Sequence, residues 1–250
     1  MRTIRAEALK LKRSMSWAVV LILPAALAIT GSATTLADGN PLEDGWHTLW
    51  LRSVVFYGLF PLAIGVGILA SLVWRSEHRG SNWNALMSGP TRSLSIVTGK
   101  VASVAILAIS MQAVMLVCVI AMGKLVFGLD GMLPGEYFGI SLLIALASIP
   151  IAALQSGLSM LMRSFAAPIA VAFLGAGFSS ALLTIGVDGI IFVSPYGLIS
   201  RVTQLGTAAF ADTGVIETSV VVSILIAAVV LSAAIVGIST SILERSDART

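Results

Sequence analysis

The chain is 250 residues long, 57% hydrophobic and only 11% charged, with a formal net charge of +3. A soluble domain clothes itself with roughly 25% charged residues and a disordered one needs high charge and little hydrophobicity, so both classes are excluded. The net charge is too small to point to nucleic acid. Cys118 stands alone in an apolar run, which rules out a disulfide framework or zinc cluster within one chain.

In chain order, residues 1–15 come first. Ile4, Ala8, Leu11 and Met15 recur at helical spacing, with Arg2, Arg5, Lys12 and Arg13 on the remaining faces. This predicts a basic amphipathic helix lying on anionic lipid. A cleaved signal peptide is not expected, because its apolar region is usually about 7–15 residues long and the run here is longer.

Six intervals between ionised residues are long enough to cross a bilayer, which takes about 20 apolar residues. They run from Arg13 to Asp38, Arg52 to Arg75, Lys100 to Lys124, Glu136 to Arg163, Arg163 to Asp188 and Glu217 to Glu244. Each encloses 22 to 26 uncharged residues. The expectation is an all-α polytopic membrane protein with six transmembrane helices, residues 1–250 forming one transmembrane domain. Placing the N-terminus inside leaves twelve basic residues inside and only Arg52, Lys124 and Arg201 outside. The positive-inside rule therefore predicts N-in and C-in.

The first outer loop carries Asp38, Glu43, Asp44 and His47. Oxygen ligands with one imidazole are chemically adequate for a metal, but an acidic outer loop is also what the charge asymmetry alone produces, and no metal site is expected. Pro24, Pro61, Pro150 and Pro168 fall inside spans, where kinks are tolerated. No ionisable residue is expected deep in any span, which argues against a proton-driven pump or an intramembrane hydrolase. Gln112 and Gln155 are the polar residues that do enter. They are read chiefly as interhelical hydrogen-bonding groups, with contact to substrate in a cavity as the functional alternative.

Residues 75–100 form the longest inner segment between spans. Ser81 can cap a short helix in which Trp83, Leu86 and Met87 share one apolar face, and Ser88-Gly89-Pro90 ends it. Such a knob, flanked by Glu77 and Arg79, suits docking into a groove on a cytosolic partner, or resting on lipid. Farther on, residues 188–214 contain the apolar run Gly189 to Ser200, too short to cross and interrupted by Pro195 and Gly197. It reads as re-entrant or interfacial.

The basic N-terminal helix, the six spans and the inner loop with Glu77, Asn82-Trp83, Leu86, Pro90 and Lys100 together resemble the permease subunit of a type-2 ABC exporter. The pattern is most similar to the lantibiotic-immunity and bacitracin-resistance branch. That resemblance implies that residues 1–15 are a connector helix and that residues 75–100 hold the coupling segment. Contact with the ATPase would then fall to Glu77, Arg79, Asn82, Trp83, Leu86, Met87 and Pro90. It also implies two copies of an ABC ATPase subunit and a second permease, identical or homologous.

This chain has no phosphate-binding loop of its own, since Gly99-Lys100-Val101 lacks both the spacing and the hydroxyl that would hold magnesium. It is therefore not expected to be an enzyme. ATP and magnesium would sit on the partner. The expected function is ATP-driven export of amphipathic or hydrophobic compounds, such as a peptide antibiotic, across a bacterial plasma membrane. A non-transporting anchor or sensor subunit that docks a cytosolic partner is the alternative.

Overall fold

The structure, a computed structural model, describes residues 14–37, 42, 44–79, 83, 91–210 and 212–247. The N-terminal amphipathic helix, apart from its last residues, and Asn82, Leu86, Met87, Pro90, Asp38 and Glu43 lie outside the described residues.

Among the described residues eight helices follow in order: α1 (Ser16–Ala37), α2 (Trp46–Leu59), α3 (Pro61–His78), α4 (Ser93–Val126), α5 (Gly135–Leu161), α6 (Ala166–Thr184), α7 (Pro195–Gln204) and α8 (Thr218–Asp247). Five of them are long and apolar enough to cross a membrane, and the α2–α3 pair makes a sixth if its two halves count as one bent span. The chain is an all-α polytopic membrane protein. Its outer faces carry large apolar side chains, among them Phe173, Leu174 and Phe178 on α6 and Val229 and Val230 on α8. Exposure on that scale suits a bilayer, which satisfies apolar surface but not backbone, so helices are the form available.

The second span departs from the sequence expectation. It was expected as one run from Arg52 to Arg75; instead helix begins at Trp46 and bends by 48° at Phe60. Pro61 is the cause. A proline disfavours α geometry in the residue before it, and Phe60 accordingly leaves the helical region at φ −139°. Its carbonyl still accepts from the Ile64 amide at 3.0 Å, so Pro61 opens α3 rather than kinking it. Pro24 and Pro150 do lie inside helices.

Helix α5 is the hub, packing against α3, α4, α7 and α8. Although α5 and α6 adjoin in sequence, α6 packs mainly on α3 and α7. Lipid tails are as apolar as the helices, so association in a bilayer rests on close packing rather than on escape from water. Small residues allow it: a side-chain carbon on Gly67 of α3 would lie 3.2 Å from Gln155 Oε1 of α5 and 3.3 Å from Ala172 of α6. One on Gly157 of α5 would lie 2.7 Å from Ser239 Oγ of α8. Gly237 of α8, by contrast, is approached by nothing within 4 Å.

The run from Gly189 folds as a 3-10 turn, Asp188–Phe192, followed by α7. Ser194 caps α7 by accepting from the Gly197 amide at 3.3 Å. The helix is buried along almost its whole length against α2, α5 and α6, and Gly58 and Gly175 make room for Thr203 and Tyr196. After α7 the chain wraps round Asp212. Its carboxylate accepts from the amides of Thr207, Ala208 and Gly214 at 2.9–3.1 Å and from Arg201 at 2.7 Å. These bonds hold Ala208 at φ 54°, a left-handed conformation that alanine rarely takes.

A Gly58→Ala substitution would drive its methyl into the β-branched Thr203, which has no rotamer to retreat to. Overpacking of this kind costs about 1–3 kcal/mol. Melting in detergent, followed by tryptophan fluorescence, is expected to show that loss, with partial recovery when Thr203→Ala is added.

Candidate functional site

Helix directions bring Arg75, Arg92, Arg163 and Arg245 to one end of the bundle, the basic end. Here α3 runs on to His78 and α4 starts at Ser93, so the connection between them is shorter than the sequence suggested. Glu77 and Lys100 therefore belong to helices rather than to a loop.

Lys100 lies two turns inside α4. Its Nζ donates to Glu77 Oε1 at 2.7 Å and to the Val73 carbonyl at 3.3 Å, and it sits 5.3 Å from the Trp74 ring centroid. The two side chains are only 2% and 6% exposed. This corrects the expectation that Lys100 merely opens a span and that Glu77 flanks an exposed knob. Counting charges treats each as a membrane boundary, whereas two opposite charges on neighbouring helices can neutralise one another inside. Around the pair, Trp74, Ile96, Val97, Val101, Ala153, Met160 and Leu243 form a second apolar cluster, separate from the main core, that joins α3, α4, α5 and α8.

Trp83 covers this cluster. Its ring stacks on His78, centroids 5.7 Å apart and planes 8° from parallel, and lies 6.3 Å from Trp74. His78 Nε2 donates to the Ser159 carbonyl at 2.8 Å, and Trp74 Nε1 donates to Ser156 Oγ at 2.9 Å. Trp83 is thus linked through the His78 and Trp74 rings to α5 as well. Arg79, by contrast, is exposed.

Sequence reasoning singled out Glu77 and Trp83 but not Trp74 or His78. Their signal was present: Trp74, Glu77 and His78 stand at i, i+3 and i+4, one face of a helix.

The other two candidates lie farther along the bundle. Gln112 donates to Ser141 Oγ at 3.2 Å, joining α4 to α5, and Gln155 donates to the Tyr196 hydroxyl at 2.7 Å, joining α5 to α7. Both are buried, and the oxygen of each amide has no hydrogen-bond partner among the described residues. Gln204 on α7, which sequence reasoning passed over, leaves both ends of its amide unpartnered. At the opposite end His47 Nδ1 lies 2.7 Å from the Tyr137 hydroxyl. No group of three or more His, Cys, Asp or Glu is placed to hold a metal among the described residues.

A helical bundle with lipid-facing sides and a buried polar junction at its basic end makes a multi-pass membrane protein. The chain belongs to a family described as ABC-2 family transporter protein, which matches residues 3–179 and so includes the junction from Trp74 to Lys100. No curated protein and no solved structure matches it.

Removing one partner of a buried ion pair leaves an uncompensated charge and costs about 3–5 kcal/mol, whereas replacing both with apolar groups is often neutral. Lys100→Met is expected to lose stability on that scale in detergent melts. Glu77→Leu combined with Lys100→Met is expected to regain most of it. A double variant as unstable as the single one would contradict an electrostatic origin.

Proposed function

We propose that the chain is the transmembrane permease subunit of an ATP-driven exporter in a bacterial plasma membrane. It would work with two copies of an ABC ATPase subunit, which carry ATP and magnesium, and with a second permease, identical or homologous. The basic end would face the cytosol, as the positive-inside rule requires. The observation that carries this reading is the stacking of Trp83 on His78 and its tilted contact with Trp74, whose ring lies beside the Lys100 of the Glu77–Lys100 pair. A segment fastened in this way can pass displacement to α3, α4 and α5 without slack.

The coupling segment would run from Glu77 to Pro90, with Arg79, Asn82, Trp83, Leu86, Met87 and Pro90 as the contact set and the buried Glu77 anchoring it to α4. Closure of the ATPases would push on it and tilt the helix ends joined at the junction, alternately opening a path between two permease halves. Residues 1–15 would be the connector helix on the inner leaflet, and α7 a re-entrant element on the outer side. Substrates would be amphipathic or hydrophobic, because the charges buried within the spans, Glu77 and Lys100, neutralise one another and are not left to select an ion. The amides of Gln112 and Gln155 are the polar handles available to them. The loop pattern Glu77, Asn82-Trp83, Leu86, Pro90 and Lys100 supports the peptide-antibiotic immunity and resistance branch.

Affinity purification from native membranes in mild detergent, with mass spectrometry, tests the assembly. A P-loop ATPase is expected in near-stoichiometric amount. Trp83→Ala is expected to weaken its association about tenfold or more, as loss of a central aromatic anchor does, with membrane insertion unchanged. An isolated permease, even after cross-linking, would instead favour the anchor or sensor role.

A further inference from the structure

We propose that a recess at the basic end, between α3, α5 and α6, binds the phosphate headgroup of an anionic phospholipid. The recess has a volume of about 360 Å³ and is lined by Arg75, Arg79 and Arg163 together with Ser71, Ser159 and Ser164. Small-ligand pockets range over about 300–1,000 Å³, so it has room for a headgroup but not for a folded peptide. No Asp or Glu lines it. None of the three arginines pairs with a carboxylate among the described residues.

Two helix C-termini end here, and their dipoles attract cations. Three guanidinium groups around one concavity exceed that need and leave positive charge facing inward. Guanidinium forks match phosphate oxygens in pairs, and the serine hydroxyls add donors. The first turn of α6 adds more, since Phe165, its N-cap residue, supplies no side-chain cap to the free amides.

The rim decides between lipid and an acidic protein segment. Met162 and Phe165 line the recess, Phe165 at 42% exposure, and the Arg75 guanidinium lies 5.7 Å from the Phe165 ring centroid. Apolar surface beside a basic hollow, where helices leave the hydrocarbon layer, suits a headgroup with its acyl chains alongside. An acidic protein loop would leave that surface in water. The inference does not depend on ATPase docking.

The test is thermal melting of the full chain in mild detergent with phosphatidylglycerol, phosphatidylcholine, glycerol phosphate or inorganic phosphate added. Phosphatidylglycerol is expected to raise the melting temperature at lower concentration than phosphatidylcholine, and the two soluble phosphates are expected to do little. Arg163→Gln is expected to weaken the phosphatidylglycerol effect about tenfold, the loss of one charge-assisted contact. Arg92→Gln, at the same end but outside the recess, is expected to leave it unchanged.

Native mass spectrometry of the unaltered chain, expected to retain phosphatidylglycerol in preference to phosphatidylcholine, gives a reading that no variant's folding can obscure. Equal weakening by Arg92→Gln, or equal stabilisation by phosphatidylcholine, would reduce the effect to general attraction and overturn the site. Equal stabilisation by glycerol phosphate would assign the recess to soluble phosphates. If Arg163→Gln kept its lipid response but lost a cytosolic protein partner, the recess would be a protein contact and the proposal would fail.

Discussion

Everything at the basic end depends on one interaction, the Glu77–Lys100 ion pair buried between α3 and α4. Neither charge could stay alone in so apolar a setting, because an unpaired buried ion costs several kcal/mol. Each therefore holds the other's helix in place. With the pair formed, Trp74 lies beside the ammonium, His78 reaches the Ser159 carbonyl on α5, and Trp83 closes over both rings. The connection between α3 and α4 thus begins and ends on one fixed platform. That is what a segment needs if it is to transmit force rather than absorb it.

Elsewhere the bundle is held mainly by close packing, with a second buried ion pair, Arg201–Asp212, beyond α7. Gly67 lets α3 wedge between α5 and α6, and Gly157 lets α8 approach α5. The bend at Phe60 and the burial of α7 belong together, since Gly58 of α2 and Ser200 and Thr203 of α7 meet just before it, with Ser200 Oγ donating to the Gly58 carbonyl at 3.3 Å. On the far side of α7 the Asp212 loop ties down the return to α8 through Arg201.

Much of the fold was legible in the sequence because charge is expensive in a bilayer and marks where helices leave it. The spans at α1, α4, α5, α6 and α8 follow that logic closely. It failed where charges were not boundaries. Arg52 lies within α2, so the start of that helix at Trp46 was hidden, and Lys100 lies inside α4 because Glu77 compensates it. Pro61 was visible, but whether it kinks a helix or begins one depends on how Phe60 packs. Of the junction, Glu77 and Trp83 were singled out in the sequence, but as contacts for a partner rather than as parts of one buried cluster. Trp74 was masked by the apolar run around it, and the pairing of residues 23 positions apart has no signature in a single chain.

Amide hydrogen exchange of the unaltered chain and of Lys100→Met, read peptide by peptide in detergent, tests the central claim most directly. If the ion pair holds the two helix ends as one platform, protection falls across Val73–His78 and Ser93–Val101 in the variant, while α1 and the halves of α5 and α8 away from the basic end stay protected. Unchanged protection at those two ends would contradict the account, since the platform would then be held by packing alone.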